Sequence, residues 1–297
     1  LPRNVSELLR RQEGAITTGQ ALEAGMSREQ LRTLTANGWR HPTRGVYVSP
    51  DAVDPFRASA RAALLIRPDA SLSHVTAARV LEQRGLPRWT PSEKPHLILP
   101  AGQTFNRIAG MTLHSGLRPG ERIMRHGLPV TSLGRTVGDM ASVLALDELI
   151  CLVDSALQAG LRTGAIPSPL PKRLRAALAL ADGRSESTFE TLVRLLLVRA
   201  GLAPEDLQVK VYDRDGRVYA RLDMAWPSAK VGLEADGREF HDLPEALHRD
   251  RARANRLAND GWRIFRVTWD DLVRHPERIV ALIREALYPE GVVIRAS

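Results

Sequence analysis

The chain has 297 residues, 43% of them hydrophobic and 26% charged, an ordinary soluble composition with material for two or three domains. Its one cysteine, Cys151, excludes a disulfide framework and a cysteine-rich zinc site within one chain. No apolar run is long enough to span a bilayer and no signal-peptide pattern opens the chain, so the cytoplasm is the expected location, with no membrane partner.

The formal net charge is +8, with 38 arginines to only four lysines (Lys94, Lys172, Lys210 and Lys230). Arginine suits phosphate, because its planar fork donates two parallel hydrogen bonds. From Arg184 to Ser297 there are 19 basic and 19 acidic residues, so residues 1–183 carry the whole surplus. A basic half joined to a neutral half that holds carboxylates points towards nucleic acid.

In chain order, helix signals come first. Asn4 and Glu7 have capping-box spacing and open a helix through Leu8 and Leu9 that stops at Glu13-Gly14. Thr18-Gly19-Gln20 begins a second helix ending at Ala24-Gly25, and Ser27-Arg-Glu-Gln30 is a capping box for a third, ending at Asn37-Gly38. The third helix buries Leu31 and Leu34 and presents Arg28 and Arg32, one turn apart, on another face. Residues 39–49 read as a tight two-stranded ribbon with its turn near Pro42-Thr43, carrying Arg40, His41 and Arg44. Three short helices and a ribbon predict a winged helix-turn-helix over 1–50, with Arg28, Arg32, Arg40 and Arg44 towards DNA.

Residues 51–165 read as a mixed α/β region: a helix over 74–86, strands at 96–100 and 110–116, then an extended entry and two helices over 127–160. His74, His96 and His114 are scattered in sequence and read as histidines satisfied by separate partners. Cys151, in an apolar run, reads as a small core residue.

The run from Gly14 to Val48 resembles the N-terminal winged-helix domain of AbiEi-type antitoxins of abortive-infection systems. Ser73-His74-x-x-Ala77-Ala78, His96-Leu-Ile-Leu-Pro100 and Gly127-Leu-Pro-Val-Thr131-Ser-x-x-Arg135-Thr136-x-x-Asp139 are similar to the region that follows it in such proteins. The resemblance covers roughly residues 7–160. It implies DNA binding and autoregulation, a phage-defence or toxin–antitoxin setting with a cognate toxin as partner, and no enzymatic activity in this half.

Three prolines and a glycine in residues 164–171 mark a break, and a linker with one helix fills 166–183. From 184 the pattern is helix, three strands, helix, strand, helix: a helix opened by Ser187 and Glu190, strands at 207–213, 216–226 and 230–236, a helix at 244–260, a strand at 262–269 and a helix at 276–287. Asp215-Gly216 is a hairpin turn signal.

On the third strand Val231, Leu233 and Ala235 share one face, while Gly232, Glu234 and Asp236 share the other. Pairing with the second strand brings Asp223, an acid among apolar neighbours, towards Glu234. Carboxylates held close repel each other, and a hard divalent cation such as Mg²⁺ or Mn²⁺ relieves that. The expected metal ligands are therefore Asp223, Glu234 and Asp236. Arg249, Arg253 and Arg256 share a face of the following helix as either a solvated surface or a phosphate rail.

Asp223, ten residues, then Glu234 is the spacing of PD-(D/E)xK nucleases. Ser187-x-x-Glu190, Arg221-Leu-Asp223-Met-Ala-Trp226-Pro, Glu234-x-Asp236-Gly237-x-x-x-His241, Asp250-Arg251 and Gly261-Trp-Arg-Ile-x-Arg266-Val-Thr-Trp269 resemble the Vsr-like branch over most of 184–287. The resemblance implies a restriction-endonuclease-like α/β fold for 184–297, with Asp223 and Glu234 on the metal, Glu190 as the first-helix acid and His241 as a catalytic histidine. Asp236 stands where the general motif has lysine; His241 or Arg238 is then the candidate for the lysine's role. The expectation is an α/β multidomain, DNA-binding, metal-dependent endonuclease. The alternative is a repressor or antitoxin whose C-terminal domain only binds DNA or a partner.

Overall fold

In this computed structural model the described residues are 1–236 and 244–289, with backbone alone for 244–250. The chain forms two compact units, Leu1–Ala145 with Leu161–Arg175, and Leu146–Gly160 with Ala176–Ser297. Both are mixtures of helices and sheets. Among the described residues no helix is long and apolar enough to cross a membrane.

The first unit begins with α1 (Arg3–Arg11), β1 (Ala15–Thr17), α2 (Thr18–Glu23), α3 (Arg28–Thr33), β2 (Arg40–Thr43) and β3 (Val46–Val48). Ser27 caps α3 as its spacing predicts: its hydroxyl accepts from Gln30 N at 3.1 Å, and the Gln30 side chain accepts from Ser27 N at 2.8 Å. Thr17 and Gln20 close the same reciprocal pair on α2. The Asn4–Glu7 spacing does not cap α1, which starts after Pro2 with no side-chain cap. Pro2 holds the cap position in an extended conformation and offers no acceptor side chain, so Asn4 already lies inside the helix. The ribbon turns at Arg44-Gly45 rather than at Pro42-Thr43, because Gly45 supplies the left-handed φ of 89° the reversal needs. β1 adds a third strand in the order β1-β3-β2. Val5, Leu9, Ile16, Leu31, Leu34 and Trp39 form the core of this segment.

Next come α4 (Pro55–Ile66), β4 (Ser71–Leu72), α5 (His74–Val80), β5 (His96–Pro100), β6 (Thr112–Leu117), β7 (Arg122–Arg125), β8 (Leu128–Thr131) and α6 (Leu133–Met140). The strands order as β6-β5-β4-β8-β7, with β5–β6 and β4–β8 parallel. Leu97 and Leu99 of β5 face a cluster with Leu72, Val130, Ala63 and Ala77. By alternation His96 and Ile98 face the opposite way.

The second unit contains α7 (Leu146–Gln158). The chain passes between units within α8 (Lys172–Leu180) and continues as α9 (Thr188–Arg199), β9 (Asp206–Tyr212), β10 (Val218–Trp226), β11 (Val231–Ala235), α10 (Pro244–Asn259), β12 (Arg263–Val267), α11 (Trp269–Arg274) and α12 (Pro276–Leu287). The sheet order is β12-β11-β10-β9, antiparallel except for the parallel β11–β12 pair. Val231 and Leu233 pack with Met224, Trp226 and Val267 against Phe189, Val193 and Leu197 of α9 and Ile279 and Ile283 of α12. On the other side Leu222 belongs to a cluster with Leu257 of α10. A side chain at Gly232 would meet Ile264 Cδ1 at 2.7 Å and Leu222 Cδ1 at 2.8 Å, so glycine lets these strands pack closely.

A buried polar network ties α7 to α9. Asp154 accepts from Arg194 at 2.7 Å, from the Thr191 hydroxyl at 2.8 Å and from Asp182 N at 2.6 Å. Arg194 also donates to Leu180 O. Cys151 of α7 is buried, and burial pushes its thiol up to about 12.

Candidate functional site

The carboxylates of the second unit gather at the β10–β11 pair. Met224 pairs with Leu233, so the next step of the register sets Asp223 opposite Glu234. Asp223 Oδ2 accepts from Ala235 N at 2.8 Å, which fixes the side chain across the strands. Burial pushes the Asp223 carboxyl up to about 6, against the Ala235 N–H, and the negative charges of Glu190 and Glu234 add to the rise.

Glu190 is 8% exposed. Ser187 caps α9 by accepting from Glu190 N, but the Glu190 carboxylate bonds elsewhere: to Glu186 N at 2.8 Å and to Gln208 Nε2 at 2.9 Å. Gln208 has a left-handed φ of 55° and a buried Oε1 with no hydrogen-bond partner. Sequence reading missed it; nothing in a strand pattern marks a glutamine whose backbone departs from extended geometry.

Glu234 is engaged by arginines. Arg253 of α10 donates to both of its oxygens at 2.9 and 3.0 Å, and Arg266, its register partner on β12, donates to Oε2 at 3.1 Å. Asp236 follows the strand, half-buried, its backbone N–H bonded to Val267 O. Asp223, Glu234 and Asp236 do not form a group with donor atoms within 4.8 Å of one another. His241 and Arg238 lie outside the described residues, as does the Arg249 side chain. Arg256 lies over the Tyr219 ring at 4.2 Å and 3.5 Å from Asp213, and so does not continue an open rail with Arg253.

In the first unit Arg28, Arg32 and Arg44 are exposed. Arg40 is half-buried and donates to Pro55 O at 3.2 Å.

The reading of His74, His96 and His114 as separate residues is corrected. Among the described residues they are the one group of three metal-ligating types whose donor atoms all lie within 4.8 Å of one another. Ile98 pairs with His114 across β5–β6, so His96 and His114 share a sheet face. Ser73 N donates to His96 O and Thr76 Oγ1 accepts from His96 N, which seats His74 beside them. Sequence separation concealed this, since only strand pairing brings the three together.

Residues 189–287 match the family model REase_MTES_1575, a restriction endonuclease-like family, so the second unit carries a nuclease-type domain. Over 203 residues the chain is 30% identical to the uncharacterized proteins Rv2248 of Mycobacterium tuberculosis strain ATCC 25618 / H37Rv and MT2308 of strain CDC 1551 / Oshkosh, covering 65% of this chain and 73% of each relative. The chain belongs to the same family as these two proteins. The crystal structure of the RV2827C protein from Mycobacterium tuberculosis aligns with a TM-score of 0.37 and 17% identity, over 71% of this chain and 87% of that one.

Proposed function

We propose that the chain is a DNA-binding protein whose second unit hydrolyses phosphodiester bonds with a divalent metal, in the manner of Vsr-like nucleases. The observation that carries this reading is the placement of Asp223 opposite Glu234, with Glu190 beside them, on the sheet of a restriction endonuclease-like domain. The donor chemistry is that of a hard-cation site: the charges of Glu190 and Glu234 raise the proton affinity of Asp223, and the Gln208 amide oxygen is orphaned, while the oxygens of Asp223, Glu234 and Asp236 do not all lie within 4.8 Å of one another in this structure. Asp223, Glu234 and Asp236 would hold Mg²⁺ or Mn²⁺, with Glu190 and Gln208 bracing them. The ion would supply charge neutralisation and a more acidic water.

The chain's own residues do the rest. Asp223 must be ionised to hold the ion; in the metal-free chain burial and the charges of Glu190 and Glu234 push its carboxyl up to about 6, and a bound cation would bring it back down. Arg253 and Arg266, which flank Glu234, take the place of the missing motif lysine and receive the scissile phosphate. His241 is proposed to serve as general acid or base at the leaving or attacking oxygen. Water attacks phosphorus and passes a proton to the general base, the P–O bond to the leaving oxygen breaks, and that oxygen takes a proton.

The first segment is proposed as a winged helix-turn-helix that grips duplex DNA through Arg28 and Arg32 of α3 and Arg44 of the ribbon. The test is plasmid nicking by the full chain with Mg²⁺ or Mn²⁺. Wild type cleaves and Asp223→Asn loses at least about a hundredfold; equal rates in both proteins sink the reading. One observation favours the second reading, a repressor or antitoxin: both Glu234 oxygens are held by arginine. Salt-sensitive DNA binding with no cleavage in either metal supports that alternative.

A further inference from the structure

The AbiEi-like motifs of the first unit leave chemistry that the nuclease reading does not use. His74 comes from the start of α5, His96 from β5 and His114 from β6. His96 Nδ1 and His114 Nε2 are 3.1 Å apart, and the His74 and His114 rings stack with centroids 3.7 Å apart. The His74 ring is buried and those of His96 and His114 are partly so. Neutral imidazole is the form that ligates a metal.

Two further observations point to a ligand. Asp139 Oδ2 is buried without a hydrogen-bond partner, 3.9 Å from His74 Nδ1, whose own hydrogen-bond partner at 3.0 Å is the Ser73 hydroxyl. Its other oxygen is fixed by Arg135 Nε at 2.8 Å, and Arg135 is itself bonded to Gly116 O and Glu121. A carboxylate behind a ring nitrogen is how metal-bound histidines are oriented. His74 also has a φ of 49°, a left-handed conformation rare for a side-chain-bearing residue.

We propose that His74, His96 and His114 bind one transition-metal ion of the zinc class, with Asp139 as the orienting carboxylate behind His74. A tetrahedral zinc at about 2.0–2.1 Å sets its ligand nitrogens about 3.3–3.4 Å apart. The His96–His114 nitrogens, in hydrogen-bond contact at 3.1 Å, lie just inside that spacing, and the donor atoms of all three histidines lie within 4.8 Å of one another. Three imidazoles favour zinc, nickel or copper over magnesium, so this site differs in metal class from the proposed nuclease site. Half-exposed His96 and His114 leave the fourth position open to water or a small ligand.

The test strips the full chain with chelator, then titrates it with zinc chloride and, separately, cobalt chloride. Wild type is expected to retain one zinc per chain through dialysis and to show the visible absorption of tetrahedral cobalt. His96→Ala and His114→Gln should lose both signals, Asp139→Asn should weaken binding about 10–100-fold, and Asp223→Asn should leave them unchanged. No retained zinc in wild type, or equal retention in the folded His114→Gln protein, overturns the proposal. Should that variant fail to fold, the cobalt spectrum of wild type decides, and absence of the tetrahedral bands overturns it.

Discussion

At the scale of single residues, Asp223 stands partly desolvated and faces two other carboxylates. Its carboxyl titrates near 3.8 in an unfolded chain and at about 6 in the folded one. Between those values the folded state holds the extra proton, so stability falls as pH rises through the window, and the loss is complete above it. The full effect is about 3 kcal/mol. In chelating buffer, Asp223→Asn is therefore expected to be more stable than wild type at neutral pH by about 2–3 kcal/mol. It should show no advantage once the acid is protonated near the unfolded value. Urea denaturation at both ends of the window checks this, and a variant less stable than wild type at neutral pH would show that the local charge balance has been misread. Because Asn keeps an acceptor for Ala235 N–H, the comparison isolates charge.

At the scale of elements, α7 and α9 are joined through Asp154 and Arg194, both buried. Burial pushes the Asp154 carboxyl up, and Arg194 with Thr191 and the Asp182 N–H opposes it. Removing one partner strands the other charge, so Asp154→Ala should cost about 3–5 kcal/mol, read as a lower urea midpoint with near-native circular dichroism in water. Most elements were legible in sequence. Capping residues at Ser27 and Ser187, the Asp215-Gly216 turn and the alternation in β11 take their predicted places, and the second helix starts at Thr18 as expected, with Thr17 as its unforeseen cap. The pairing of Asp223 with Glu234 followed from alternation plus a short connection through Pro227. What sequence did not reveal depends on contacts between distant segments: the Asp154–Arg194 network, the arginines on Glu234, Gln208, and the convergence of three histidines separated by 18 and 22 residues. α4 and α11 were also missed. α11 is a single turn and a half, capped by Thr268 inside what reads as the tail of a strand.

At the scale of the whole molecule, the excess positive charge falls in residues 1–183, the half proposed to grip DNA. Arg28 and Arg32 are exposed on α3, whose other face is pinned by Leu31 in the core. Replacing both with alanine should leave folding intact and weaken duplex binding across sequences. The slope of log affinity against log salt should shrink by about one per arginine, measured by fluorescence anisotropy. An unchanged slope would place the DNA contact elsewhere. The division of the chain into units has a practical corollary for anyone dissecting it. The stretch matched by the nuclease family begins at 189, and the proline-rich break precedes it, yet α7 belongs to the same unit from an earlier point in the chain. Severing the polypeptide at either landmark would strip the downstream piece of Asp154 and leave Arg194 as an interior cation with no counter-ion. The restriction endonuclease-like half is thus no transplantable cassette; it travels intact only with a helix borrowed from upstream.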